Sequence, residues 1–151
     1  MSFKKIGSFN LDKSLRIFRT KKRELPRILG NKAVNFFKDS FRKGGFTDSS
    51  FKQWVPRWKR LSRTRTSRTI RERANLIKSG RLLRAVRLLT ASFARIAIGT
   101  RGVQYAARHN EGQTDRLGRT MPKRQFIGRS RKLEADIEKR IKLEINKVFD
   151  V

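Results

Sequence analysis

The chain has a single histidine, His109, and the nearest acid to it is Glu111, two positions on. An imidazole works as a general base only beside a nucleophile to activate or a carboxylate to orient it. Neither is arranged around His109, which reads as a structural residue. Without cysteine there is no disulfide or thiolate chemistry, and one histidine among scattered acids makes no zinc set. Gly99-Thr100-Arg101-Gly102 is a basic glycine turn, but it lacks the Gly-Lys-Ser/Thr ending that cradles a nucleotide phosphate. The residues therefore point away from catalysis and from any cofactor or metal, toward a non-enzymatic protein.

The chemistry that remains is anion recognition. Arg63, Arg65, Arg68, Arg71 and Arg73 lie in a tract with Ser and Thr between them. Guanidinium groups bond phosphate in bidentate fashion, and small hydroxyl residues let a backbone come close. No base-reading element accompanies the tract, so phosphate contact there is expected to be independent of nucleotide sequence. The same arginines suit acidic faces of partner proteins equally well, and both partners stay open at this point.

The wider charge supports the need for an acidic partner. Forty Lys+Arg stand against 12 Asp+Glu, a formal net charge of +28, which destabilises any compact state left uncompensated. Between Ser49 and Asn110 the only acid is Glu72, whereas the last segment is nearer balance, with Glu134, Asp136, Glu138 and Glu144. Hydrophobic residues make up 36% of the chain, enough for a modest core and below an ordinary globular share. Met1 to Gly7 has no apolar run after its lysines, so no secretory leader is expected. No window approaches the ~20 apolar residues of a membrane span, and no membrane partner is expected.

The elements that position these residues follow from periodicity. The expected organisation is an arm over residues 1–22 and one domain over 23–151, with an extended basic loop at about 46–70. Met1 to Thr20 keeps no single apolar period and reads as irregular or strand-like. Leu25, Leu29, Ala33, Phe36, Phe37 and Phe41 share one face, predicting a helix from Glu24 to Phe41 with Pro26 in its first turn and Gly44-Gly45 ending it. Phe46, Phe51, Trp54, Val55 and Trp58 fit no period and suggest a loop pinned by its aromatics. Arg71 to Lys78 reads as a short helix. Phe93 to Gly99 alternates as a strand, and Leu82 to Thr90 is either its hairpin partner or a helix. A mobile loop is expected over Gln113 to Arg119, and a short strand from Arg124 to Gly128. Ser130 then caps a final helix striped by Leu133, Ile137, Ile141, Ile145 and Val148. The fold class is α+β: a long N-terminal helix, a small antiparallel sheet, a basic aromatic loop, and a C-terminal helix packed on the sheet.

Three segments in order resemble the bacteriophage virion-morphogenesis family, whose members complete tails at the head–tail junction. The first is Gly45-Phe46 followed by Trp54-Val55-Pro56. The second runs from the Ser79-Gly80-Arg81-Leu82 turn through Ile96-Ala97-Ile98-Gly99 to Tyr105-Ala106 and His109-Asn110-Glu111-Gly112. The third is Pro122-Lys123-Arg124-Gln125-Phe126-Ile127-Gly128, close to a Pro-x-Arg-x-Phe-hydrophobic-Gly signature. The resemblance spans roughly Ala33 to the C-terminus. It implies a ring-forming structural protein of the virion, assembled in the host cytoplasm, with portal, adaptor and tail proteins as neighbours and packaged DNA nearby. The alternative from composition is a sequence-independent nucleic-acid-binding protein of ribosomal or nucleoid type. The motif residues Phe46, Trp54, Pro56, Gly80, Leu82, Tyr105, Ala106, His109, Gly112, Pro122, Arg124, Phe126 and Gly128 are expected to build the fold, with Tyr105 and His109 the two that could instead touch a partner.

Overall fold

A computed structural model describes residues 11–56, 75–114, 116–118 and 120–149, without the side chain of Phe149. The first helix, α1, runs from Leu11 to Lys43, 33 residues and about 50 Å long at the usual rise. Residues 11–22, expected as part of an arm, are therefore helical. Leu11, Leu15, Phe18, Leu25 and Leu29 do keep helical steps, and the Lys and Arg between them are good helix formers. Pro26 lies mid-helix rather than in a first turn, and it is buried. A mid-helix proline removes one hydrogen bond and crowds the preceding turn. Here its ring forms part of the packed face that continues through Leu29, Gly30, Ala33, Val34, Phe37 and Phe41.

After Gly44 the chain makes a hairpin, β1 (Gly45–Thr47) and β2 (Phe51–Gln53), where an irregular loop was expected. Trp54 extends it, its N–H donating to the Gly44 carbonyl at 2.8 Å. The basic stretch that follows, with Trp58, the five arginines of the tract and the first half of the expected Arg71–Lys78 helix, lies outside the described residues; residues 75–78, expected in that helix, form turns and bends instead, ahead of the Ser79-Gly80 break. Helix α2 (Arg81–Ala85) passes directly into strand β3 (Val86–Ala91), so the helix and strand readings of Leu82–Thr90 each hold for part of it. Strand β3 pairs antiparallel with β4 (Ile96–Thr100). Phe93, Ala94 and Arg95, expected in the strand, form its turn instead, closed by reciprocal backbone bonds between Ser92 and Arg95. Their place in the turn puts Ile96 at the start of β4.

Helix α3 (Ala106–Glu111) ends at Gly112, whose φ of +78° is a conformation that L side chains rarely adopt. Strands β5 (Gln113–Thr114) and β6 (Thr120–Met121) close a third hairpin where a mobile loop was expected. Pro122 to Gly128 contains no strand. Among the described residues no strand pairs with the segment; side-chain and backbone groups of α3 hold it instead. The last helix, α4, spans Arg131 to Phe149.

The class is α+β, with three two-stranded antiparallel hairpins among the described residues in place of one sheet. Ala33, Phe37 and Phe41 of α1 meet Phe46, Trp54, Leu82, Val86, Ala106, Phe126 and Leu133 in one core. Phe41 is its hub, 5.7 Å edge-on to Trp54 and 5.0 Å from Phe126. Hairpin β3–β4 and α4 both pack on α1. Gly30 permits the first contact: a Cβ there would fall 2.6 Å from the Leu88 side chain. Helix α4, expected to rest on the sheet, thus lies chiefly along α1, which offers it a longer apolar surface than a two-stranded ribbon. The two run antiparallel, since Lys32 reaches the Asp136 carbonyl while Lys21 reaches Glu144.

Candidate functional site

The motif residues converge. Phe46, Trp54, Leu82, Ala106 and Phe126, far apart in sequence, are all core residues. Polar bonds then lock their loops together. The Trp54 indole N–H donates to the Gln125 carbonyl at 2.8 Å, and Arg124, buried, donates from Nε to the Val55 carbonyl at 3.1 Å and from a terminal nitrogen toward Pro56. Arg124 is thus a buried fastener of the aromatic loop, and Pro56 is exposed at the edge of the described stretch.

The segment carrying Arg124 and Phe126 is held from α3. The Arg124 N–H donates to the His109 carbonyl at 2.8 Å. Asn110 Oδ1 accepts from the backbone of both Phe126 (2.9 Å) and Ile127 (3.0 Å), doing for this strandless segment what a neighbouring strand normally does. Gly112 sits tightly against residues 121–123, where any Cβ would crowd the Met121 carbonyl and the Lys123 backbone. Pro122 and Gly128, both half-buried, bracket the segment, and Gly80 immediately precedes α2.

Tyr105 and His109 pack edge to face with centroids 5.7 Å apart. With Ala106 they were expected to build the fold. Only Ala106 is buried in the core, whereas Tyr105 is exposed beside a cavity of about 160 Å3 that Lys78, Ser79, His109 and Arg124 also line. That volume is below the about 300–1,000 Å3 of ordinary ligand pockets. Among the described residues no group of three or more His, Cys, Asp or Glu converges as a metal site, and no helix is long and apolar enough to cross a membrane.

Two polar clusters escaped the sequence reading. At one end of α4, the β1–β2 turn supplies a second cap: Arg131 N–H donates to Asp48 Oδ1 at 2.9 Å and Lys132 N–H to the Asp48 carbonyl at 3.1 Å. Ser130 Oγ takes the Leu133 N–H at 3.2 Å, as its position predicted. Toward the other end, Glu144 is only 2% exposed and meets three cations, Lys21 at 2.9 Å, Arg140 at 2.8 Å and Lys147 at 3.3 Å. The Lys21 bond holds its carboxyl below the usual range, against the opposing effect of burial and with help from Lys147. Glu144 takes the buried place expected for Ile145, which is exposed. A charged residue in an apolar stripe gives no inward signal in the sequence; the i, i−4 and i, i+3 spacings to Arg140 and Lys147 were the available hint.

No protein-family model, curated protein or solved structure matches this chain.

Proposed function

We propose that the chain is a structural protein of a bacteriophage head–tail junction, a tail-completion or neck-ring subunit that joins or seals the tail to the DNA-filled head. One observation carries this reading. The three segments bearing the resemblance, scattered from Gly45 to Gly128, furnish half of one core, and Arg124 and Trp54 bind them across 69 and 71 positions. Bonds between such distant segments give the matched residues a shared structural role, and that supports the reading. The charge of +28 fits a subunit placed among acidic neighbours or packaged DNA.

The charge alone favours a second reading, a sequence-independent nucleic-acid-binding protein. Expression with neck and tail proteins, followed by purification in high salt after nuclease treatment, separates the two. A junction subunit remains in a multimeric complex with portal or tail proteins. A nucleic-acid-binding protein elutes as a monomer once its polyanion is removed, and that result would overturn the first reading.

A further inference from the structure

A second cavity, of about 310 Å3, opens between the N-terminal half of α1, the β3–β4 turn and the end of α4. Its walls include Phe18, Leu25, Phe93, Ile96, Ile141 and Ile145. Phe93 is 67% exposed, Phe18 46% and Ile145 43%. Large apolar side chains gathered around one concavity mark an interaction surface, unlike the same residues dispersed singly.

The charges at the groove identify the occupant. Glu144 lies in its wall and is met by Lys21, Arg140 and Lys147. Three cations around one carboxylate leave two positive charges in surplus, and all three remain partly open to solvent. Lys22 adds a further cation, its Nζ 5.0 Å over the Phe93 ring. The groove is thus apolar in its floor and positive at its edge. Duplex DNA has no side chain to fill such a floor, and a second copy would bring another +28 against the first.

We infer that this groove docks an acidic, amphipathic segment of a partner protein, which buries bulky apolar side chains against Phe18, Phe93 and Ile141 and sets carboxylates over Lys21, Lys22 and Lys147. Apolar burial holds the segment and the surplus cations select its sign. The site does not depend on the neck reading, because it specifies a chemistry and not an assembly.

The probe is a fluorescein-labelled synthetic peptide with leucines on one helical face and glutamates on the other, set against a scrambled peptide of the same composition. Anisotropy titration of the full chain should show the segregated peptide binding at least about tenfold tighter. Phe93→Ser and Ile145→Gln, both at exposed positions, should remove that preference without shifting the thermal midpoint; Phe51→Ser, exposed on β2, should leave it intact. Equal binding of the two peptides sinks the inference, as does a preference that survives both groove substitutions. Two other outcomes also overturn it by naming a different occupant. One is concentration-dependent dimerisation that the groove substitutions abolish. The other is peptide binding that appears only after deletion of residues 1–10.

Discussion

Glu144 shows how much one side chain can decide. Replacing it by Gln leaves Lys21, Arg140 and Lys147 facing one another with no anion between them. The cations are partly solvated, so the loss lies between that of exposed and fully buried pairs, about 1–3 kcal/mol. Acid should reproduce part of it. A carboxyl whose folded pKa is depressed contributes fully above its unfolded value, near 4.5, and loses that contribution as pH falls through the lower folded value. The thermal midpoint of the native chain should therefore drop more steeply than that of Glu144→Gln between about pH 5 and pH 3. Parallel pH curves would show that the carboxylate gains nothing from its surroundings. Asn110 makes a sharper contrast. Ala there strands the Phe126 and Ile127 N–H groups at a cost of about 1–3 kcal/mol each where water cannot reach. Asn110→Asp keeps an acceptor at Oδ1 and should unfold in urea at nearly the native midpoint, while Asn110→Ala should fall well below it.

At the scale of elements, the N-terminus of α4 offers a test of shared work. Ser130 and Asp48 cap the same first turn from two directions, one within the helix and one from the β1–β2 turn. Each change to Ala should cost ~1 kcal/mol. The carboxylate also faces the positive end of the helix dipole, so the Asp48 effect should weaken in salt while the Ser130 effect does not. In the double substitution the losses should depart from simple addition, because the caps brace one another through the Ser130 Oγ–Asp48 carbonyl approach. The contrast between these residues also explains what was legible in advance. Ser130, the C-terminal half of α1 and the stripe from Leu133 to Ile141 announced themselves through local spacing. Asp48 did not, because its partner lies 83 positions away, and no period encodes such a distance. The N-terminal half of α1 was misjudged because Pro26 resembles a helix start and abundant cations blur the apolar steps before it. The Arg124–Gly128 segment suggests a strand because its residues suit extended backbone; whether another strand lies alongside is settled only by the tertiary fold. The candidate site divides the same way: the motif residues were visible, the bonds of Asn110 needed α3 to meet the Phe126 segment, and Glu144 and the groove emerged only when α1, the hairpin and α4 met.

For the whole molecule, the governing quantity is the excess of cations and what balances it. Arg63, Arg65, Arg68, Arg71 and Arg73 lie outside the described residues, so their test is functional. If all five meet phosphate, changing them to Gln should lower the log–log salt slope of duplex DNA binding by ~4 to 5. An unchanged slope, with loss of assembly alongside neck proteins, assigns the tract to acidic protein faces. A middle value counts the arginines that touch DNA.

The capping of α4 by the β1–β2 turn has a consequence for the order of events during synthesis. The core around Phe41 and Trp54 is completed only by Phe126 and Leu133, and the turn at Asp48 finds its helix only when residues 131 and 132 are present. A ribosome therefore releases Phe41 and Trp54 long before the core they belong to can close. Through that interval the aromatic residues of the first half have no permanent partners, a condition that ordinarily invites aggregation. The surplus of like charge that burdens the finished domain is then protective, keeping unfinished copies apart until the last helix arrives.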